Sequence, residues 1–321
     1  MEKKLIIKQP PIIGYLHHGY PLSAVWGNES YLPWFYSNFI QIHSNPYGIM
    51  KLDFIHKGWW GFPFNHETVS NNTLRSNRID INEFIKNAIN DDFYVIIKLD
   101  EYYIPDRYFY KRKQFIHQTL IYGFNTETKT YNIHGFNEKH TFQVTKLSFE
   151  DFNKAFNSVR KKQNIDFFKF NKKPDIKFDL SLVIEWLRYY LYDTNQVYLI
   201  YYGGELENRN FGINVYDDLI KYIQITDETN LDIRAFHILW EHKKCMNLRM
   251  DYMQDTQNIN IKTEILNELI NIEKNALTIR NLVLKYNVSH NKKIILRIIE
   301  DLKVLKEEEY ETLNKLYNVI K

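Results

Sequence analysis

Cysteine is the scarcest reactive residue, because Cys245 is the only one in 321 residues. No intrachain disulfide and no cysteine-rich metal site can therefore form. A long hydrophobic run is missing as well: nothing approaches the ~20 apolar residues that a membrane helix needs. Met1 to Lys8 carries Lys3, Lys4 and a short apolar stretch, but Pro10 and Pro11 interrupt it and no small-residue cleavage site follows. It does not read as a signal peptide, and the cytoplasm is the expected location. Neither sign of charge dominates, with 42 basic and 39 acidic residues giving a net charge of +3. Nucleic-acid binding needs a clustered basic face. The densest basic stretch, Lys111 to Lys113, is short enough to be a solvated loop. Tyr202-Gly203-Gly204-Glu205 lacks the spacing of a phosphate loop or a dinucleotide fingerprint and reads as a turn. No internal repeat is visible.

Aromatic residues, by contrast, are plentiful. They make up 16% of the chain, mostly 24 Tyr and 21 Phe, so a large core can form. The length suggests two domains. Segment 5–13 reads as an edge strand ending at Pro10-Pro11. Segment 22–43 reads as one or two helices broken around Gly27-Asn28, with Ser30 as a cap and Pro33 in the first turn of the second. A strand follows at 49–56. Segment 57–66 reads as a loop over a cleft. Ile81 to Ile89 has the pattern of a helix capped by Asp80, and Phe93 to Leu99 that of a buried strand. Residues 117–124 and 129–134 form a hairpin around the polar turn 125–128, with another strand from Phe142 to Thr145. Ser148 caps a helix to Arg160 whose apolar stripe is Phe149, Phe152 and Phe156.

Between 161 and 179 the chain turns polar and basic, and Pro174 interrupts it, which places a domain boundary there. Helical patterns follow at 180–192, 214–224, 231–253, 262–286 and 290–318. The expected organisation is α+β, with a sheet-containing domain over 1–165 and a helical domain over 175–321.

Three groups of residues could carry chemistry. The first centres on His117, which opens a strand ending in Gly123. A histidine held on a rigid strand can serve as general base if a nucleophile lies within hydrogen-bond reach and a third group orients it. A core histidine satisfied by its neighbours fits the pattern equally well. The second is Arg234, His237 and Glu241, which share one helical face. They could bind a polar or anionic ligand, although a structural ion-pair network is favoured. Their register is not that of a zinc-protease helix, and no metal site is expected. The lone Cys245 nearby reads as a small buried apolar residue. The third is an aromatic cluster, His17 and His18 with Trp26, Trp34, Trp59 and Trp60. It could line an acyl pocket, or simply be core.

The run DDFYVIIKLDEYYIPDRYFYKRKQFIHQTLIYGFNTETKTYNIHGF resembles the N-terminal domain of the butirosin biosynthesis protein H family, which is related to C39 and papain-like cysteine peptidases. The likeness is best over 80–156, in a strand ending in Asp and tyrosines, then His-x-x-x-x-Tyr-Gly-Phe-Asn and a hairpin. It implies a papain-like (C39-peptidase-like) fold with a central antiparallel sheet, followed by a helical domain. It also implies acyl transfer in nonribosomal-peptide-type assembly, from a carrier-protein thioester to a small-molecule amine or peptide. No cofactor of its own is implied beyond the phosphopantetheine arm of a carrier-protein partner. The oligomeric state is open, a homodimer included.

Two departures stand out. The family's catalytic cysteine is absent, and Ser23 is the best positional match, as a weak nucleophile or as a helix cap. The family's orienting Asp is absent too. Asn132 and His134, on one strand face, are the candidates to orient His117. A non-catalytic descendant that binds a carrier protein or peptide intermediate is thus the second reading, and a serine-type hydrolase or thioesterase the third.

Overall fold

The computed structural model describes residues 1–56, 62–171, 175–192, 209–227 and 229–321. It is a mixed α+β protein, 53% helical and 20% strand, with an antiparallel sheet and a helical C-terminal region. Among the described residues no helix is long and apolar enough to cross a membrane. The chain forms two compact units. The first comprises Met1–Leu32 and Gly58–Asp175, and the second Pro33–Lys57 and Ile176–Lys321. The expected first domain therefore gives up an internal segment to the second.

The first unit is built on a seven-stranded sheet. Its strands are β1 (Glu2–Lys4), β4 (Phe64–Ser70), β5 (Tyr94–Asp100), β6 (Ile116–Asn125), β7 (Thr130–Phe136), β8 (Phe142–Ser148) and β9 (Asn164–Phe170). They run in the order β4-β9-β5-β6-β7-β8, every pairing antiparallel. β6 outruns β5, and beyond its bulge β1 takes the neighbouring place, with Lys4 opposite Gly123. The edge strand expected at 5–13 is instead this short Glu2–Lys4 pairing. β4 and β9 fall in stretches that read as loop and as polar boundary. Both carry few aliphatic residues; β4 is the edge strand, and β9 lies next to it, paired with β4 on one side and β5 on the other.

Helix α1 (Leu16–Gly27) packs against β7. The remaining helices of this unit are α3 (Asn71–Ser76), α4 (Ile81–Asn90) and α5 (Phe149–Ser158). Asp80 caps α4 by accepting from the amides of Asn82 and Glu83, and Ser148 caps α5 by accepting from that of Asp151. Each short side chain supplies an acceptor that the first turn otherwise lacks. Ser30 caps nothing; its hydroxyl donates to Asn28 Oδ1 at 2.8 Å. α5 lays Phe149 and Phe152 against Tyr131 of β7.

The second unit holds α2, whose Leu32–Asn38 range begins at the unit border. It also holds α6 (Leu180–Leu191), α7 (Val215–Ile225), α8 (Ile233–Gln257), α9 (Thr263–Ser289) and α10 (Lys292–Ile320). A small antiparallel sheet joins β10 (Asn210–Phe211), β2 (Gln41–Ser44) and β3 (Leu52–Ile55). Buried polar side chains fix Pro33–Lys57 to the helices. Arg249 Nε and Nη2 donate to the carbonyls of Tyr36 and Phe39, both at 2.6 Å, capping the end of α2. His242 Nε2 meets the Ile40 carbonyl at 2.7 Å, and Gln41 donates to the Trp186 carbonyl at 2.6 Å.

Candidate active site

His117 is the second residue of β6, opposite Leu99 of β5. Its Nδ1 lies 3.0 Å from Glu101 Oε1. Glu101 sits in the 3₁₀ turn that follows β5, which Asp100 caps by accepting from the Tyr102 amide. Asp100 also receives the Phe115 amide and the Ser158 hydroxyl, and the Glu101 amide donates to the Phe115 carbonyl. The turn is thus tied to the residues just before β6, and that fixes carboxylate against imidazole. The Glu101 side chain is 8% exposed and that of His117 38%. A buried acid orients a reachable ring, and with Nδ1 bound Nε2 is left for chemistry.

The expected orienting residues do not take this role. His134 of β7 pairs with Leu120 of β6, so the two side chains share a face. His117 is three residues from Leu120 along a regular strand and projects from the other face. Asn132 pairs with Gly123, at the far end of β6. A β carbon on Gly123 would lie 2.9 Å from Asn132 Oδ1 and 2.8 Å from the Lys3 carbonyl. Gly123 is where three strands meet too closely for a side chain.

Ser23 is nowhere near a helix start. It is the eighth residue of α1, fully buried, and the N-cap position is held by Tyr15, whose side chain makes no capping bond. Its hydroxyl donates to the Gly19 carbonyl at 2.7 Å, and its oxygen is 3.3 Å from His134 Nδ1. With the only hydroxyl proton on Gly19, the second contact requires Nδ1–H of His134 to donate. Burial, and then the nearby Arg107 guanidinium, push the His134 pKa down to about 4. A neutral donor does not activate the oxygen it donates to. Ser23 thus stands against His134 rather than beside His117 as expected, and it does not cap α1.

Arg107 closes this side of the sheet. It donates from Nη1 to the Phe136 carbonyl and from Nη2 to that of His134 at 3.4 Å. Gly135 is needed beneath it, since a β carbon there would fall 2.5 Å from Nη1. Tyr20 of α1 donates to the Gln118 carbonyl at 2.8 Å, and burial raises its pKa.

The other candidates scatter. His18 is buried in α1 with its ring 4.1 Å from that of His17, and Trp26 is half-buried in the last turn of the same helix. Trp59 and Trp60 lie outside the described residues, as does Tyr202-Gly203-Gly204-Glu205. On α8, His237 Nε2 is 3.1 Å from Glu241 Oε1, while Arg234 pairs with Asp232 at 2.7 Å, where the helix begins. His237 and Glu241 thus meet at the four-residue spacing, while Arg234 turns to Asp232 rather than to them. Cys245 is fully buried, and burial raises its thiol pKa.

Glu101 is the residue that sequence reading missed. The signal was there: an Asp-Glu pair closing a β-strand, with the Asp free to cap the turn and the Glu to face the next strand. Compared with known proteins, the chain matches no family model and no curated protein.

Proposed function

We propose that this protein is an acyl-transfer enzyme of natural-product assembly on a papain-like fold, with His117 as general base and no acyl-enzyme on the pathway. The observation that carries the reading is the 3.0 Å contact between His117 Nδ1 and the buried Glu101 carboxylate. The resemblance over 80–156 supplies the substrate class: an acyl thioester on the phosphopantetheine arm of a carrier protein, and an amine acceptor. His117 Nε2 takes the proton of the amine as its nitrogen attacks the thioester carbonyl. Glu101 stabilises the imidazolium that forms. As the C–S bond breaks, the imidazolium returns the proton to the departing thiolate, giving amide and free thiol. Water in place of the amine gives thioester hydrolysis by the same two residues.

One observation favours a second reading. The residue matching the family nucleophile is buried and bonded inward, as in a fold kept to bind a carrier protein or peptide intermediate without turning it over. Acyl-cysteamine thioesters with and without an amine separate the readings, using intact mass and thiol release for wild type, Ser23→Ala, His117→Ala and Glu101→Gln. No protein should carry an acyl adduct. Ser23→Ala should turn over like wild type, and His117→Ala should lose about 10²–10⁴-fold. An adduct that vanishes only in Ser23→Ala would restore the serine acyl-enzyme. A silent wild type that still binds a carrier protein would make the protein a binding module.

A further inference from the structure

The sheet of the first unit splits at one end. β6 continues past the start of β5 and takes β1 as its new neighbour, while β9 and β4 continue on the far side. β1 and β9 do not pair, and a cleft of about 1000 Å³ opens between them. Lys3, Lys4, Leu5 and Ile6 in succession line one wall, and Lys169 with Phe170 line the other. Successive side chains of a strand point to opposite faces, so what confronts the cleft is backbone edge.

The hydrogen-bond phase identifies which groups are on offer. The Leu5 amide donates to the Tyr122 carbonyl and the Thr126 amide to that of Met1. Odd-numbered residues therefore bond to β6, and the N–H and C=O of Lys4 and the N–H of Ile6 point away from it. On the other wall the Asn171 amide donates to the Pro63 carbonyl. By the same alternation Phe170 turns its N–H and C=O from β4 toward the cleft. Next along β9, Phe168 pairs with Tyr94, which shows what belongs in that position: an extended chain.

Side chains add polarity. Lys3 Nζ is held by Asp92 at 2.6 Å and the Asn90 carbonyl at 2.9 Å. Lys4 and Lys169 have no carboxylate partner among the described residues and sit near the rings of Tyr122 and Phe93. Asn90 Oδ1, also on the cleft, is buried without a hydrogen-bond partner. Asp91 is the remaining acid of the wall, so cation is in excess.

We infer that this cleft binds an extended acidic peptide segment of a partner, added as a strand between β1 and β9. The occupant would bond to the edges of Lys4 and Phe170, give an amide to Asn90 Oδ1 and place carboxylates by Lys4 and Lys169. The site is separate from His117, which lies six residues down β6 from Gly123, or roughly 20 Å at ~3.3 Å per residue.

The test uses the full chain and a fluorescein-labelled octapeptide alternating Val and Glu, read by fluorescence anisotropy. Saturable binding is expected, with none for the Val–Lys counterpart. N-methylating alternate amides should weaken it by about tenfold or more, because a strand loses its donors and a mere counter-ion does not. Lys4→Pro deletes an edge N–H that β6 does not use and should have the same effect, with thermal unfolding as the check on folding. Lys169→Glu should weaken binding with the backbone edge intact. No binding of the Val–Glu peptide overturns the inference. So does equal binding of the N-methylated form, or binding unchanged in both variants.

Discussion

Two hydroxyl and imidazole groups that look interchangeable in the sequence are set apart by a single proton. Ser23 spends its hydrogen on the Gly19 carbonyl, so His134 must donate to it. Replacing Ser23 by Ala leaves that buried N–H without an acceptor, which costs about 1–3 kcal/mol, less the few tenths gained from Ala in a helix. Urea unfolding should show a loss of about 1 kcal/mol while thiol release is unchanged. A nucleophilic serine would show the reverse, stability kept and turnover gone. Gly135 makes a second residue-scale case. A methyl group there collides with the Arg107 guanidinium, itself buried against two carbonyls. Gly135→Ala should lose about 1–3 kcal/mol in the same assay, as overpacking does. Both positions carry ordinary residue types, and the sequence offers no sign that one is buried and the other pressed by a cation.

At the scale of elements, the helices of the second unit were legible and their fastening was not. The apolar pattern places the five C-terminal helices within a few residues of their observed ends, because amphipathic stripes of that length leave little choice. It is silent on the buried charge joining them. Lys243 of α8 donates to both Glu309 oxygens of α10 at 2.6 and 2.7 Å, to Tyr190 of α6 at 3.2 Å, and to His242 Nδ1 at 3.0 Å. Tyr216 of α7 donates to Glu309 Oε2 at 2.7 Å. Burial lowers the Lys243 pKa, and the Glu309 carboxylate opposes that shift. Lys243→Met strands a buried carboxylate and should cost about 3–5 kcal/mol. Lys243→Met with Glu309→Gln removes the orphan charge, keeps an acceptor for the tyrosines, and should regain much of that loss. An additive double mutant in chemical denaturation would show that the pair does not act as a unit. The strands tell the opposite story. The hydrophobic β5 and the β6–β7 hairpin announced themselves, whereas β4 was hidden by polar residues suited to a sheet edge and the short apolar run of β9 by the polar, basic stretch around it. So was the candidate site: His117 could be picked from its strand, but its partner Glu101 depends on a turn geometry that no periodicity reports.

At the scale of the whole molecule, a buried histidine held neutral in each unit bears on how the protein responds to acid. In the first unit His134 faces Ser23, with the Arg107 guanidinium opposing its charge, and its pKa falls to about 4. In the second, burial and the neighbouring Lys243 and Arg249 cations hold His242 well below the usual range. Unfolded imidazoles take up protons below about pH 6.5, while these two stay neutral to lower pH. The unfolded state therefore binds more protons over that interval, so native stability is full above about pH 6.5 and is lost as pH falls toward 4. For His134 alone the difference is on the order of 3 kcal/mol at 1.36 kcal/mol per pKa unit. Carboxylates titrate in the same interval, so wild-type curves do not isolate the histidines. His134→Gln keeps a donor for Ser23 and cannot titrate. Between pH 7 and 5 the free energy of unfolding should fall less in this variant than in wild type, by about 1–2 kcal/mol. Parallel curves would mean that His134 protonates in the native state as readily as in the unfolded chain. In that case its ring would be reachable by water, and Ser23 would no longer be shut away from it.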